Sequence, residues 1–356
     1  MTVRKQKQLQ SIQRPFLLNY SHAYRTTSNA ALFQLTNSIT LFLVAEQEHA
    51  KASVLQLRKD CKIKNEIVAA SSYTSSTHPY ERHPASRNNI TLCIRQNRYQ
   101  ALYPKIYTDG SGINNGKGCA IKIYLSDHEA KGFKFQLDKE NSVFQSEMFA
   151  ILQAINVSTH HHFPRTHIYT DCLSAMHALA NPNNRSSLAH EILRKSSNAQ
   201  GQHFFIIWIK AHVGHKGNEE ADKLAKEAAQ GIIAKKISIP WPASHLKLKL
   251  QITTKDLWQQ WWDGANTGRR FYNLFPKVDS PPIPLSRHIT WFITGMVPFP
   301  RTSMQEISLH QTPVHVVKRV TPSIISIFLP VDRFPSAKET QFRRGFIPIS
   351  KICSQE

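Results

Sequence analysis

Apolar positions recur along this chain with two different periods, and the change of period divides it. Residues 30–35 and 39–45 are apolar runs, and 47–59 mixes charged and apolar residues as an amphipathic helix does. Residues 1–68 are therefore expected to be helical. From 69 to 103 the chain turns polar and rich in Ser, Asn and Pro, the composition of a linker. Order resumes at Lys105 with a strand expected to end at Asp109, a turn at Gly110-Ser111-Gly112 with Asn114 and Gly116, a second strand at 119–125 and a third at 132–137. Val143, Phe144, Met148, Ile151, Leu152 and Ile155 then recur at helical spacing behind Ser142, a natural N-cap. A fourth strand at 166–170 runs into Asp171, helices follow at 173–180 and 188–197, 204–209 is apolar and short enough for a buried strand, and an Ala-rich helix runs from Asn218 to about Gln230.

A strand that follows a helical crossover lies parallel to its predecessor. The order β-β-β-α-β-α-α-β-α thus predicts an α/β domain, residues 104–232, with a five-stranded mixed sheet: three antiparallel strands, then parallel ones, and helices on both faces. Beyond it, 233–280 reads as a Trp-rich helical extension carrying Trp258, Trp261 and Trp262. Residues 281–356, basic and proline-interrupted, read as a disordered tail.

Charge narrows the partners. Lysine and arginine total 45 against 24 acidic residues, a formal net charge of +21. That excess points to nucleic acid rather than a membrane, since no stretch is long and apolar enough to span one. The five cysteines are scattered and never form a C-x-x-C pair, which argues against a disulfide framework or a zinc site. With a polar, basic beginning unlike a secretory signal, the expected setting is intracellular, nucleus or cytoplasm.

The candidate chemistry lies in a repeat. Ile106-Tyr107-Thr108-Asp109 and Ile168-Tyr169-Thr170-Asp171 are identical, and in open α/β sheets catalytic groups collect at the carboxyl ends of parallel strands. Glu147 and Asp222, on helices beside those ends, complete four carboxylates in one frame. Their mutual repulsion requires protons or cations, and oxygen-only ligands suit Mg²⁺ or Mn²⁺.

Taken together, the motifs resemble a type 1 ribonuclease H domain. They are Tyr107-Thr108-Asp109-Gly110-Ser111, Ser146-Glu147, Tyr169-Thr170-Asp171-Cys172-Leu173-Ser174-Ala175, and the stretch from Trp208-Ile209-Lys210-Ala211-His212 through Gly217-Asn218-Glu219-Glu220-Ala221-Asp222. The resemblance implies hydrolysis of the RNA strand of RNA/DNA hybrids with two Mg²⁺ ions, Mn²⁺ being an alternative. In that scheme Asp109 bridges both ions, Asp222 helps hold the one that activates water, and Glu147 with Asp171 holds the one on the leaving-group side. His212 would assist proton transfer or product release, and Gly110, Ser111 and Gln145 would contact the hybrid's minor groove. Cys172 stands where the family commonly has Ser, and Ala211 where Gly is usual, a change expected to stiffen the loop. The interval 171–208 leaves no room for the additional basic helix of some members. The flanks, around Ile12-Gln13-Arg14, Ala23-Tyr24-Arg25-Thr26 and Thr267-Gly268-Arg269-Arg270, resemble the surroundings of ribonuclease H in non-LTR retrotransposon polyproteins. A catalytically inactive nucleic-acid-binding remnant of such an element is the alternative reading.

Overall fold

The structure, a computed structural model, describes residues 2–64, 66–76, 89–94, 104–126, 130–278 and 287–295, all within one unit, Met1–Met296. In chain order the elements are α1 (Val3–Ser21), α2 (Asn29–Leu35), α3 (Leu41–Leu55), β1 (Cys61–Ile63), β2 (Glu66–Val68), β3 (Ile90–Cys93), β4 (Lys105–Ile113), β5 (Gly116–Tyr124), β6 (Ala130–Leu137), α4 (Val143–His160), β7 (Arg165–Thr170), α5 (Leu173–Ala180), α6 (Ser187–Asn198), β8 (His203–Trp208), α7 (Lys216–Ala229), β9 (Lys235–Lys236), α8 (Ala243–Asp263), α9 (Arg269–Leu274) and α10 (Arg287–Thr294).

The main sheet has seven strands in the order β3-β8-β7-β4-β5-β6-β9. Its middle is the expected one: β4, β5 and β6 form an antiparallel meander, and β7 and β8 run parallel to β4. Two short strands extend it beyond the predicted five. Within the stretch read as a linker, β3 pairs in parallel with β8, and β9 pairs in parallel with β6. Four-residue and two-residue strands carry almost no period of their own; the neighbouring strand decides them.

Successive side chains of a strand point to opposite faces, and here each face has its helix. A Cβ at Gly110 would meet the backbone of α4, whereas one at Gly118, opposite Ser111 in the ladder, would meet the backbone of α7. Met148, Ile151, Leu152 and Ile155 of α4 close the main core with Ile106, Ile121, Ile168 and Ile206, all buried. Each such aliphatic side chain contributes roughly 1.5–3 kcal/mol when removed from water.

The chain does not leave the domain where the sequence suggested, at 232. Ile237 donates its N–H to Gln136, Ser238 and Trp241 both donate to the Asp138 carboxylate at 2.7 and 3.3 Å, and the Pro240 carbonyl accepts from Gln145 Nε2 at 2.9 Å. Residues 235–241 thereby clasp the start of α4.

Helices from both ends of the sequence meet in common cores. Trp258, Trp262, Phe271 and Val278 are buried with Ala30, Ala31, Leu35, Phe42 and Leu43, and Leu246 and Leu250 with Ala50, Val54 and Tyr73. The segments read as 1–68 and 233–280 thus share their cores. Part of the expected disordered tail joins them: α10 buries Thr290 and Ile293, and Thr290 Oγ1 donates to the Ser21 carbonyl at 3.1 Å. The rest of 281–356, apart from 287–295, lies outside the described residues, as do 77–88 and 95–103 of the expected linker.

Candidate metal centre

The two copies of Ile-Tyr-Thr lie side by side. In the parallel ladder Ile106 faces Ile168, Tyr107 faces Tyr169 and Thr108 faces Thr170. The tyrosine rings stack with centroids 4.7 Å apart and planes at 16°. The ladder stops after the threonines, so Asp109 and Asp171 emerge next to each other. Asp109 is nonetheless inside a strand: β4 continues against β5 to Ile113, and the reversal falls at Asn114 and Asn115, both with left-handed φ. Asn tolerates that conformation, which is why the turn settles there rather than at Gly110-Ser111-Gly112.

Glu147 arrives from above on α4, whose start is fixed by a capping box: Ser142 Oγ accepts from the Gln145 N–H and Gln145 Oε1 accepts from the Ser142 N–H, each at 3.2 Å. A Cβ on Gly110 would stand 2.5 Å from the Glu147 nitrogen, so only glycine lets the helix come this close to the strand. One carboxylate oxygen from each of Asp109, Glu147 and Asp171 then lies within 4.8 Å of the others.

The cluster is short of positive charge. Asp109 and Glu147 are only 6 % and 8 % exposed. Burial, then the charges of Asp171 and Asp222, push the Asp109 carboxyl up to about 7 against the pull of Lys226. Burial, then Asp109 and Asp171, push Glu147 up to about 9, with a hydrogen bond from the Gly110 backbone opposing and Asp222 adding to the rise. Glu147 Oε2 is buried with no hydrogen-bond partner among the described residues. Three converging hard oxygen donors, one of them orphaned, are what a divalent cation would satisfy.

Asp222, on α7, stands beside this group, and its charge acts on both Asp109 and Glu147. Its Oδ2 accepts from Lys226 Nζ at 2.7 Å, one helical turn on. The sequence reading did not anticipate Lys226, nor Asn218, whose Nδ2 donates to Asp171 Oδ2 at 3.0 Å while its own Oδ1 is buried without a hydrogen-bond partner among the described residues. Their spacing was a usable signal, since 218, 222 and 226 lie four apart on one face of a helix. Trp208 Nε1 adds a hydrogen bond to the Asp171 carbonyl at 3.0 Å.

His212 is exposed on the loop before α7 with φ 56°, and Gly214 has φ 86°. Ala211 does not have positive φ, so alanine adopts the backbone conformation there without strain. Gly110 and Ser111 lie partly exposed on β4 beside the cluster. Gln145 does not belong with them: it is buried, and its amide is taken up by the cap and by Pro240. Cys172 is half-buried at the start of α5, its Sγ 3.2 Å from Ser174 Oγ, and takes no part in the cluster.

Comparison with known proteins points to the same stretch of the chain. A family model described as RNase H matches residues 103–230. Human "Ribonuclease H1" is 24 % identical over 180 residues, 44 % of this chain and 60 % of that protein, so the match spans less than two thirds of that relative. "Ribonuclease H" of Wolbachia sp. subsp. Drosophila simulans (strain wRi) and of Wolbachia pipientis wMel are each 29 % identical over 138 residues, 35 % of this chain and 92 % of theirs. Among solved structures, RNase H1 from the archaeon Halobacterium salinarum NRC-1 is aligned over 36 % of this chain and 98 % of its own, with 18 % identity and a TM-score of 0.30. By the family model and these relatives, residues 103–230, the part of the chain that builds the carboxylate cluster, are similar to RNase H domains.

Proposed function

We propose that this chain is a divalent-metal-dependent endonuclease that hydrolyses the RNA strand of RNA/DNA hybrids to 5′-phosphate and 3′-hydroxyl ends. The observation that carries the reading is the convergence of Asp109 from β4, Glu147 from α4 and Asp171 from the link between β7 and α5, with a buried oxygen of Glu147 that has no hydrogen-bond partner among the described residues. Two Mg²⁺ ions, with Mn²⁺ as a substitute, are the cofactor assigned. When bound, such ions supply charge neutralisation, an activated water and stabilisation of the leaving 3′ oxygen in an in-line displacement.

The remaining work belongs to the chain. Asp109, Glu147 and Asp171 form the inner ligand set, and Asp222 completes it from α7. Asn218 fixes which oxygen of Asp171 faces inward, and Lys226 holds Asp222 in place. His212, exposed on its loop, is assigned the exchange of protons with solvent as product leaves. Gly110 and Ser111 are assigned to the minor groove of the hybrid, where the 2′-hydroxyl is the group that tells RNA from DNA. The resemblance of the flanks to retrotransposon polyproteins suggests replication of such an element as the setting.

The test is Mg²⁺-dependent cleavage of end-labelled hybrid, duplex DNA and single-stranded RNA by the full chain and its Asp109→Asn variant. Hybrid alone should be cut, and only by the unaltered chain. Equal activity in both proteins, or cleavage of duplex DNA, would overturn the reading.

A further inference from the structure

A second basic and aromatic site lies in the helical part of the chain, outside residues 103–230. Where α1 ends, the chain turns through His22, with φ 52°, and α10 crosses it. Trp291 Nε1 donates to the His22 carbonyl at 3.1 Å, which fixes the indole at this crossing. Tyr24 meets the Trp291 ring edge-on with centroids 6.2 Å apart, and the Arg287 guanidinium lies 5.6 Å from the centre of the same ring. Together with Asn19 and Arg25 they line an open cleft of about 240 Å³.

Its charge is one-sided. The first acidic residue in the sequence is Glu46, and neither α9 nor α10 contains one. Arg25 and Arg287 are exposed, and neither enters an ion pair among the described residues. Tyr24, one of the lining residues, is 39 % exposed. The exposed Tyr24 ring, beside guanidinium groups without an ion-pair partner among the described residues, matches the chemistry of an unpaired nucleic-acid strand, whose bases stack and whose phosphates take the arginines. A duplex offers no free base faces, and a lone phosphate would leave the Tyr24 ring unused.

We propose that this cleft binds single-stranded nucleic acid, with a base against Tyr24 and Trp291 and the adjoining phosphates on Arg25 and Arg287. The site is separate from the carboxylate cluster, and its test requires no hydrolysis. Anisotropy of a fluorescein-labelled single-stranded DNA of about twelve nucleotides would be titrated with the full chain in EDTA at several salt concentrations. Arg25→Gln/Arg287→Gln should weaken binding by about tenfold or more and flatten the slope of log K against log salt by roughly 1.4, two phosphates at ~0.7 each. Tyr24→Ala should weaken it by about fivefold or more with little change in slope. Circular dichroism melting would establish that each variant is folded, and the two are independent of each other. Unchanged affinity and slope in the folded double-arginine variant would overturn the proposal. So would a defect confined to phosphatidylserine-containing vesicles, which would make the cleft a membrane contact.

Discussion

The raised carboxyls of the cluster make two residue-level expectations. A carboxyl whose folded pKa lies above its unfolded value keeps its proton longer in the folded state, so stability is fully present below the unfolded value and is lost as pH rises towards the folded one. For Glu147 that window runs from about 4.5 to about 9, and for Asp109 from 3.8 to about 7. The metal-free chain should therefore lose stability between pH 5 and 9, and Glu147→Gln should flatten that loss. At pH 8 in EDTA the variant should melt higher by a few degrees, corresponding to roughly 1–2 kcal/mol. Added Mg²⁺ should stabilise the unaltered chain and leave the variant nearly unmoved; the opposite order would remove Glu147 from the metal site. Gly110→Ala is the second. Its methyl would meet the Glu147 backbone at 2.5 Å, so α4 must retreat. Thermal stabilisation by Mn²⁺ should fall by at least half even where the variant still folds, since binding requires all three carboxylates within one ion's reach.

At the scale of elements, the sequence was legible wherever local pattern and final environment agree. The strands β4 to β8 each carry their own alternation or apolar run, and α4 announces itself through Ser142 and its apolar spacing. Asp171 follows a recognisable strand and Glu147 and Asp222 ride recognisable helices, whereas Asp109, expected at a strand end, lies inside β4. What escaped was non-local. The strand β3 is four residues of an otherwise polar stretch, settled by its pairing with β8. Gln145 reads in the sequence as a contact to the hybrid's minor groove, yet the chain returns about a hundred residues later to bind it, through Pro240 at 2.9 Å. Asn141 shares that task, its Nδ2 donating to Gln145 Oε1 at 3.2 Å and to the Ile239 carbonyl at 3.4 Å. The clasp holds the first turn of the helix that carries Glu147. Asn141→Ala should therefore cost about 1–3 kcal/mol of stability by leaving buried groups unpaired. It should also raise the Mg²⁺ concentration for half-maximal hybrid cleavage while kcat at saturating metal changes little. An equal loss at all metal concentrations would show that the clasp does not act through Glu147.

At the scale of the molecule, the chain closes on itself across almost its whole described length. Gln34 Nε2 donates to the Lys277 carbonyl at 2.6 Å over a separation of 243 residues, and Trp261 meets both Phe33 and Phe42 edge-on. Trp262 is fully buried between these helices, its Nε1 bound to the Phe275 carbonyl at 3.0 Å. The α/β domain thus sits in the chain as an insertion between two halves of one helical assembly, tied to it through 235–241 and through the contact of Tyr73 with Trp241. Cooperativity should follow these shared cores rather than sequence order. Trp262→Ala removes a large buried ring and one hydrogen bond, a cost of about 3–5 kcal/mol. Hydrogen exchange should then rise together in α2, α3 and α8, while β4, β5, β7 and β8 stay protected because their core, Ile106, Ile121, Ile168 and Ile206, is untouched. Exchange rising in α8 alone would mean that the N-terminal helices hold together without it. A matching rise in β4 and β7 would mean that the helical assembly and the α/β domain unfold as one unit.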